Sequence, residues 1–101
     1  MKESELQAEC NKILDENKIL YFHLEKGGKF KQKKHSKGLP DLLIWHNGKS
    51  IFVELKKEGE ALDKDQMDWM LWAELADIPH YVCRNINQFR IVLDKQGFIK
   101  Y

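Results

Sequence analysis

PDLLIWHNGKSIFVELKK, residues 40–57, is the stretch that decides the fold. Its Asn47-Gly48 dipeptide is typical of a two-residue type I′ turn between antiparallel strands, because both positions of that turn need positive φ. With this turn at the centre, Asp41 lies opposite Glu54. Side chains alternate along a strand, so Lys56 leaves the sheet on the same face as both acids. The sequence therefore predicts a β-hairpin with two carboxylates and an amine at one end.

The two opposed acids predict a metal site. Opposed Cβ atoms lie roughly 4.5–5.5 Å apart, where two carboxylates at an effective dielectric of about 20 repel each other by roughly 3 kcal/mol. A divalent cation between them turns this repulsion into attraction, and Mg²⁺ favours a pair of carboxylates completed by water and phosphate oxygens. Lys56 is then placed to orient an attacking water or to neutralise charge on a phosphate. The alternative is a solvated ion cluster without catalytic function.

Length and composition are typical of one domain spanning residues 1–101, large enough to bury roughly two-thirds of the surface that its unfolded chain exposes. Cys10 and Cys83 lack the spacing of a Cys-x-x-Cys motif, which indicates reduced thiols in a cytoplasmic setting. The first residues are too polar for a signal peptide, and no apolar run approaches the length of a membrane span. We therefore expect a soluble cytoplasmic protein without membrane association.

Charge is segregated along the chain, although the formal net charge is only +1. Residues 26–38 contain no acid and carry the lysines Lys26, Lys29, Lys31, Lys33, Lys34 and Lys37. Between Glu54 and Asp77 acids outnumber lysines. A lysine-rich loop directly before the predicted metal ligands favours contact with phosphates over the simpler alternative of a solvated loop.

Hydrophobic periodicity outlines the remaining elements. We predict a first helix over residues 3–17, a strand over 19–24, a short strand around Phe30, hairpin strands over 42–45 and 50–55, a second helix from about 63 to 76, a strand over 80–83, a third helix over 86–93 and a terminal strand over 98–101. The chain contains no internal repeat and no linker.

The second helix has a distinctive start and an apolar body. Asp63 and Gln66 have the spacing of a capping box, so Gln66 can serve as a cap, as a functional residue, or as both. The body is apolar on two sides, with one stripe formed by Met67, Met70, Leu71 and Leu75 and the other by Trp69, Trp72, Ala73 and Ala76. We expect one stripe in the core and the other covered by another part of the domain or by a second subunit.

Together these motifs resemble the VRR-NUC branch of the PD-(D/E)XK nuclease superfamily. The resemblance is carried, in chain order, by Gly38-Leu39-Pro40-Asp41, Glu54-Leu55-Lys56, Gln66, the aromatic-rich helix body and Val82-Cys83-Arg84. These motifs run over nearly the whole chain. The Val-Arg-Arg that names the branch reads Val-Cys-Arg here, so the middle basic residue is lost and the resemblance does not extend to any contact made by that arginine.

The resemblance implies an α/β fold with a restriction-endonuclease-like core, in which a mixed central sheet is flanked by helices in an αβββαβ-like order. It implies Mg²⁺- or Mn²⁺-dependent hydrolysis, with the principal metal held by Asp41, Glu54 and the Leu55 carbonyl. Lys56 would position the water, and Gln66 would orient that lysine or the water. Glu9 is added because related nucleases and junction resolvases place a metal-binding Glu on the first helix. On its sequence context alone, Glu9 is a surface acid.

The chain is similar to minimal stand-alone phage forms of the branch, which implies a bacterial or phage-infected host cell and a homodimer that cleaves branched DNA such as four-way (Holliday) junctions. The Trp69 and Trp72 helix face is the candidate dimer interface. Predicted DNA contacts are Lys29, Lys31, Lys33, Lys34, Ser36, Lys37 and Arg84. Two alternatives stay open, namely a noncatalytic nucleic-acid-binding module and a nuclease acting on linear DNA, flap DNA or RNA.

Overall fold

The computed structural model describes residues 2–24 and 38–101. Within these residues the elements follow in the order α1 (Glu3–Glu16), β1 (Leu20–His23), β2 (Leu42–His46), β3 (Lys49–Leu55), α2 (Lys64–Leu75), β4 (His80–Cys83) and α3 (Ile86–Lys95). The strands form a sheet in the order β1-β2-β3-β4, antiparallel up to β3 and parallel between β3 and β4. This mixed sheet flanked by helices is compatible with a restriction-endonuclease-like fold and confirms the predicted fold class.

The β2–β3 hairpin turns where the sequence predicts. Both residues of the Asn47-Gly48 turn have positive φ, at 51° and 76°, as a type I′ turn requires. The register pairs Leu42 with Val53. One step further from the turn, the same register sets Asp41 opposite Glu54.

One face of the sheet is covered by α1 and α3. Alternation along β3 directs Ile51, Val53 and Leu55 to this face, where all three are fully buried. They share one hydrophobic cluster with residues of both helices and of β2, including Leu6, Cys10, Ile13, Leu14, Leu42, Ile44, Phe89 and Leu93. The main core therefore lies between the sheet and these two helices.

Among the described residues, α2 is the element that covers the opposite face. Phe52 of β3 packs edge-to-face against Trp69, with ring centroids 5.2 Å apart, and Ala73 is buried against the sheet. Of the two predicted stripes, the tryptophan-containing one therefore faces the sheet, while the Met67, Met70, Leu71 and Leu75 stripe is exposed. Trp72, at the edge of the inner stripe, is 44% exposed.

This second face retains a large exposed apolar surface, which we call the α2 side. Strand register places Leu20 opposite Trp45 and Phe22 opposite Leu43, on the same face as Phe52. The described residues include ten exposed large hydrophobic side chains, of which eight lie on the α2 side: Leu20, Phe22, Trp45, Met67, Met70, Leu71, Trp72 and Leu75. Within residues 2–24 and 38–101, the sheet is thus covered by two helices on one side and carries exposed apolar side chains on the other.

The predicted terminal strand over 98–101 is wrong. Gly97, at φ 79°, ends α3 in a Schellman motif, in which the Phe98 N–H donates to the Leu93 carbonyl at 2.8 Å and the Gly97 N–H to the Asp94 carbonyl at 2.9 Å. The turn directs Phe98 back into the core, where it packs edge-to-face on His46. The alternating apolar pattern of these residues therefore reflects a helix cap and not sheet pairing.

The other element bounds differ from prediction by one or two residues. The structure ends α1 at Glu16, starts β1 at Leu20 and lengthens each hairpin strand by one residue, and it ends α2 at Leu75 and α3 at Lys95. The strand predicted around Phe30 lies outside the described residues. In the part of the chain that the structure describes, no helix has the length and apolarity needed to cross a membrane.

Gly38 fixes the segment that leads to Asp41 against the start of α2. Its φ is +72°, and a Cβ at this position would lie 2.2 Å from the carbonyl carbon of Asp65 and 2.6 Å from the Gln66 nitrogen. Only glycine fits, because both the backbone angle and the close approach exclude a side chain. The first residues of the motif Gly38-Leu39-Pro40-Asp41 therefore rest on the α2 turn that carries Gln66.

A pair of glycine variants separates these two effects. A Cβ at position 97 would meet no atom within 4 Å, but the φ of Gly97 is +79°. Gly97→Ala should therefore lower the free energy of unfolding only by the cost of backbone strain, about 1–2 kcal/mol. Gly38→Ala adds a clash with the α2 backbone and should lower the free energy of unfolding by roughly 2 kcal/mol more. Urea denaturation of both variants checks this, and equal losses would contradict the close packing at Gly38.

Candidate active site

Asp41 is held in place at the end of the hairpin by both neighbouring strands. Its Oδ2 accepts a hydrogen bond of 2.7 Å from the Leu55 N–H, and its carbonyl accepts one of 3.0 Å from Leu24. The carboxylate thus takes the place of a backbone acceptor for β3, just where β2 begins. This bond draws the Asp41 side chain toward the residue that follows Glu54.

Glu54 is a buried carboxylate, with only 1% of its surface exposed. Burying a carboxylate is costly unless hydrogen-bond donors or cations accompany it. Gln66 of α2 supplies one donor, from its Nε2 to Glu54 Oε1 at 3.1 Å. The acid lies on the α2 side of the sheet, which is the face of Phe52.

Gln66 serves the helix and the acid at once. Its Oε1 accepts from the Asp63 N–H at 3.0 Å, and its own N–H donates to Asp63 Oδ1 at 2.8 Å, which completes the predicted capping box. Because the amide oxygen is engaged by the cap, the amide nitrogen must point to Glu54. The cap therefore fixes the orientation of the side chain that holds the acid.

Lys56 lies one residue beyond β3, where the strand pairing continues. Its N–H donates to the Cys83 carbonyl at 3.1 Å, so the extended backbone persists and Lys56 keeps the face of Glu54. The side chain is 12% exposed, and its Nζ lies 3.4 Å from Oε1 of Glu60. Glu60 is a site neighbour that the sequence analysis missed, because a spacing of four residues indicates an ion pair only within a helix and these residues lie in a loop.

The oxygen donors at this end of the sheet fit a divalent cation such as Mg²⁺. Asp41 and Glu54 provide two carboxylates from opposed positions of neighbouring strands. No group of three or more His, Cys, Asp and Glu side chains in residues 2–24 and 38–101 is arranged to hold a metal ion. Two carboxylates completed by water and phosphate oxygens are typical of Mg²⁺ and not of structural Zn²⁺ sites.

The structure does not bring Glu9 together with this acid pair. Glu9 falls at the edge of the buried stripe of α1 and faces α3, on the opposite side of the sheet from Glu54. There it lines a polar cavity of about 380 Å³ together with Lys12, Ile13, Glu16, Ile86 and Arg90. The helix instead places Gln7 near the Asp41 end of β1, with Gln7 Nε2 2.9 Å from His23 Nδ1.

The predicted DNA contacts lie in two different settings. Lys29, Lys31, Lys33, Lys34, Ser36 and Lys37 lie outside the described residues, and their assignment stays a prediction. Arg84 is described, and its Nη1 donates to the carbonyls of Lys57 at 3.0 Å and Glu60 at 2.6 Å. Its guanidinium therefore binds the loop that leaves β3, a role that sequence spacing does not indicate.

The departure from the Val-Arg-Arg motif falls on a core position. Cys83 is fully buried, and burial raises the pKa of its thiol to about 12. Burial also raises the pKa of the Cys10 thiol well above its ordinary value, with smaller contributions from Cys83 and Glu9. Both cysteines are therefore free, buried packing groups of the main core.

Comparison with protein families identifies the chain. Residues 3–85 match the VRR-NUC domain, a range that runs from α1 to the start of α3 and includes every residue of the site just described. A search of curated proteins gave no match, and neither did a search of solved structures. PD-(D/E)XK nuclease domains generally use divalent metal ions. Because the matched range covers far more than half of the sequence, the chain belongs to the VRR-NUC domain family, a family of nuclease domains in the PD-(D/E)XK superfamily.

Proposed function

We propose that this chain is a Mg²⁺- or Mn²⁺-dependent endonuclease that hydrolyses phosphodiester bonds in branched DNA such as four-way junctions. The observation that carries the proposal is the register of the hairpin, which sets Asp41 opposite Glu54 with Lys56 on the same face. The family match supports nuclease chemistry, and the two opposed carboxylates of Asp41 and Glu54 support the metal dependence that we propose.

Each residue of the candidate site would have a separate role. Asp41, Glu54 and the Leu55 carbonyl would hold the metal, which when bound supplies Lewis-acid polarisation of a phosphate oxygen and a more acidic water. Lys56 would orient the attacking water and offset negative charge on the phosphate. Gln66 acts one step further away, because its hydrogen bond holds the Glu54 carboxylate in a single orientation.

Substrate binding would rest on phosphate contacts and not on base reading. The lysines of residues 26–37 directly precede the Gly38–Asp41 segment along the chain, and we assign the phosphate contacts to them. Binding of this kind neutralises phosphates and releases counterions, and its affinity falls steeply with salt. DNA shape would then dominate the choice of substrate.

A second copy of the chain is the partner that we propose for the α2 side. Trp69 packs on Phe52 of its own sheet, whereas Trp72 borders a groove of about 260 Å³ formed with Phe52, Trp69, Ala73, Ala76 and Ile78. Eight of the ten exposed large hydrophobic side chains of the described residues lie on this side, and such clusters of apolar residues often mark interaction surfaces. A two-fold dimer through this side would set two sites at fixed positions, as a symmetric junction requires.

Cleavage of labelled substrates tests the chemistry. With Mg²⁺, the wild-type chain should cut a four-way junction, and Asp41→Asn, Glu54→Gln and Lys56→Met should each reduce the rate by roughly 10²-fold or more. Lys64→Met, which removes an exposed lysine on α2, serves as the matched control and should cut like wild type.

The same assay separates the alternatives. Binding without cleavage of any substrate in Mg²⁺ or Mn²⁺ would identify a noncatalytic binding module. Faster cleavage of duplex DNA, flap DNA or RNA than of the junction would leave the nuclease assignment intact and overturn the proposed preference. Unchanged cleavage by Asp41→Asn would remove the acid pair from the mechanism.

Sedimentation tests the dimer. The wild-type chain should sediment as a dimer at micromolar concentration, and Leu71→Glu, which places a charge on the exposed α2 surface, should give a monomer. Ile91→Glu is the control, since Ile91 is half exposed on α3 on the other side of the sheet. A wild-type monomer, or dissociation by the control variant alone, would contradict a dimer through the α2 side.

A further inference from the structure

Arg84 stands where β4 meets the loop that follows β3. Strands β3 and β4 are parallel neighbours with Leu55 paired to Cys83, and the Lys56 N–H donates to the Cys83 carbonyl. Arg84, the residue after β4, therefore lies beside the first residues of the loop between β3 and α2. That loop carries Lys56 at its start and reaches the cap of Gln66 at its end.

The guanidinium of Arg84 closes the first turn of this loop. Nη1 donates to the carbonyls of Lys57 and Glu60, at 3.0 and 2.6 Å, so that one charged donor joins both ends of the turn. Gly59 within the turn has a φ of +80°, and the Glu60 N–H donates to the Lys57 carbonyl at 3.3 Å. Hydrogen bonds from a charged donor are stronger than neutral ones, so the bonds from Arg84 stabilise this turn more than the backbone bond between Glu60 and Lys57 does.

Arg84 is itself held rigidly by the start of α3. Its N–H donates to Gln88 Oε1 at 2.7 Å, and the Gln88 N–H donates to Oδ1 of the N-cap Asn85 at 2.8 Å. Asn85 Nδ2 also donates to Glu58 Oε1 in the turn at 2.9 Å. The side chains of Arg84 and of the N-cap Asn85 thus both hydrogen-bond to the same turn.

The turn ends on the carboxylate that contacts the candidate catalytic lysine. Glu60 contributes its carbonyl to Arg84 and its Oε1 to Lys56 Nζ, which lies 3.4 Å away. Any movement of the turn would carry the Glu60 carboxylate with it. Since the Lys56 side chain is largely buried, its position depends on this partner.

We propose that Arg84 is a positioning residue of the nuclease site, which fixes the 57–60 turn so that Glu60 holds Lys56 on the face of Asp41 and Glu54. This inference rests on the proposed function, because only there does Lys56 have a catalytic role. It replaces the sequence-based assignment of Arg84 as a phosphate contact. Lys56 remains the catalytic residue, and Arg84 acts through Glu60.

Kinetics distinguish a positioning residue from a phosphate contact. Arg84→Gln should lower kcat roughly 10- to 100-fold, because small misplacements of a catalytic group have effects of this size. The KM and the salt dependence of DNA binding should stay at their wild-type values. Loss of a phosphate contact would instead weaken binding and reduce the slope of log K against log salt by about 0.9.

Three further variants remove the remaining ambiguity. Glu60→Gln, a change at a partly exposed side chain, should reproduce the kcat defect without affecting the turn. In a Lys56→Met background, Arg84→Gln should have no further effect on the residual rate, since both changes act through one amine. Arg90→Gln is the matched control, because Arg90 is the half-buried arginine of α3 that lines the separate cavity with Glu9.

A readout independent of activity separates this proposal from the proposed function. Backbone amide NMR of Arg84→Gln should show shifted or broadened signals for residues 56–60, with the amides of β1 unchanged. A wild-type chain that cuts nothing would defeat the proposed function, while the NMR result would still test the turn. Unperturbed signals in residues 56–60, an unchanged kcat, or a defect confined to KM with a reduced salt slope would each overturn the positioning role.

Discussion

The hydrogen bond from the Leu55 N–H to the Asp41 carboxylate is the contact on which the rest of the site depends. It ends the pairing of β2 with β3 by replacing a backbone acceptor with a side chain, and it brings that side chain to the strand that carries Glu54. The cap of α2 approaches from the same face, where Gln66 contacts Glu54 and Gly38 contacts the Gln66 backbone. The start of β2, the end of β3 and the start of α2 therefore meet at one end of the sheet.

The two sides of the sheet differ in how deeply their side chains are buried. The side of α1 and α3 contains the main core with both cysteines, and its packing accounts for the stability of the sheet. The α2 side carries the acid pair together with most of the exposed apolar surface of the described residues. The candidate site and most of the exposed large apolar side chains among the described residues therefore lie on the side away from the main core.

Sequence reasoning succeeded where the determinants are local. The Asn47-Gly48 turn fixes its own register, so the opposition of Asp41 and Glu54 follows from counting, and the capping box at Asp63 and Gln66 follows from a spacing of three residues. Sequence spacing does not reveal contacts between distant segments. The structure places Glu9 at the cavity between α1 and α3, and Arg84 donates to carbonyls 27 and 24 residues away, which no local pattern encodes. The strand predicted over 98–101 is wrong because a glycine cap and a strand end leave similar sequence patterns.

Paramagnetic Mn²⁺ titration followed by amide NMR tests the central claim, that Asp41 and Glu54 share one divalent ion. At low Mn²⁺ the account predicts early broadening of the Leu55 backbone amide and the Gln66 side-chain amide, and loss of this broadening in Asp41→Asn. Broadening centred on Glu9 and Glu16 in the α1–α3 cavity, or unchanged broadening at Leu55 in Asp41→Asn, would contradict it.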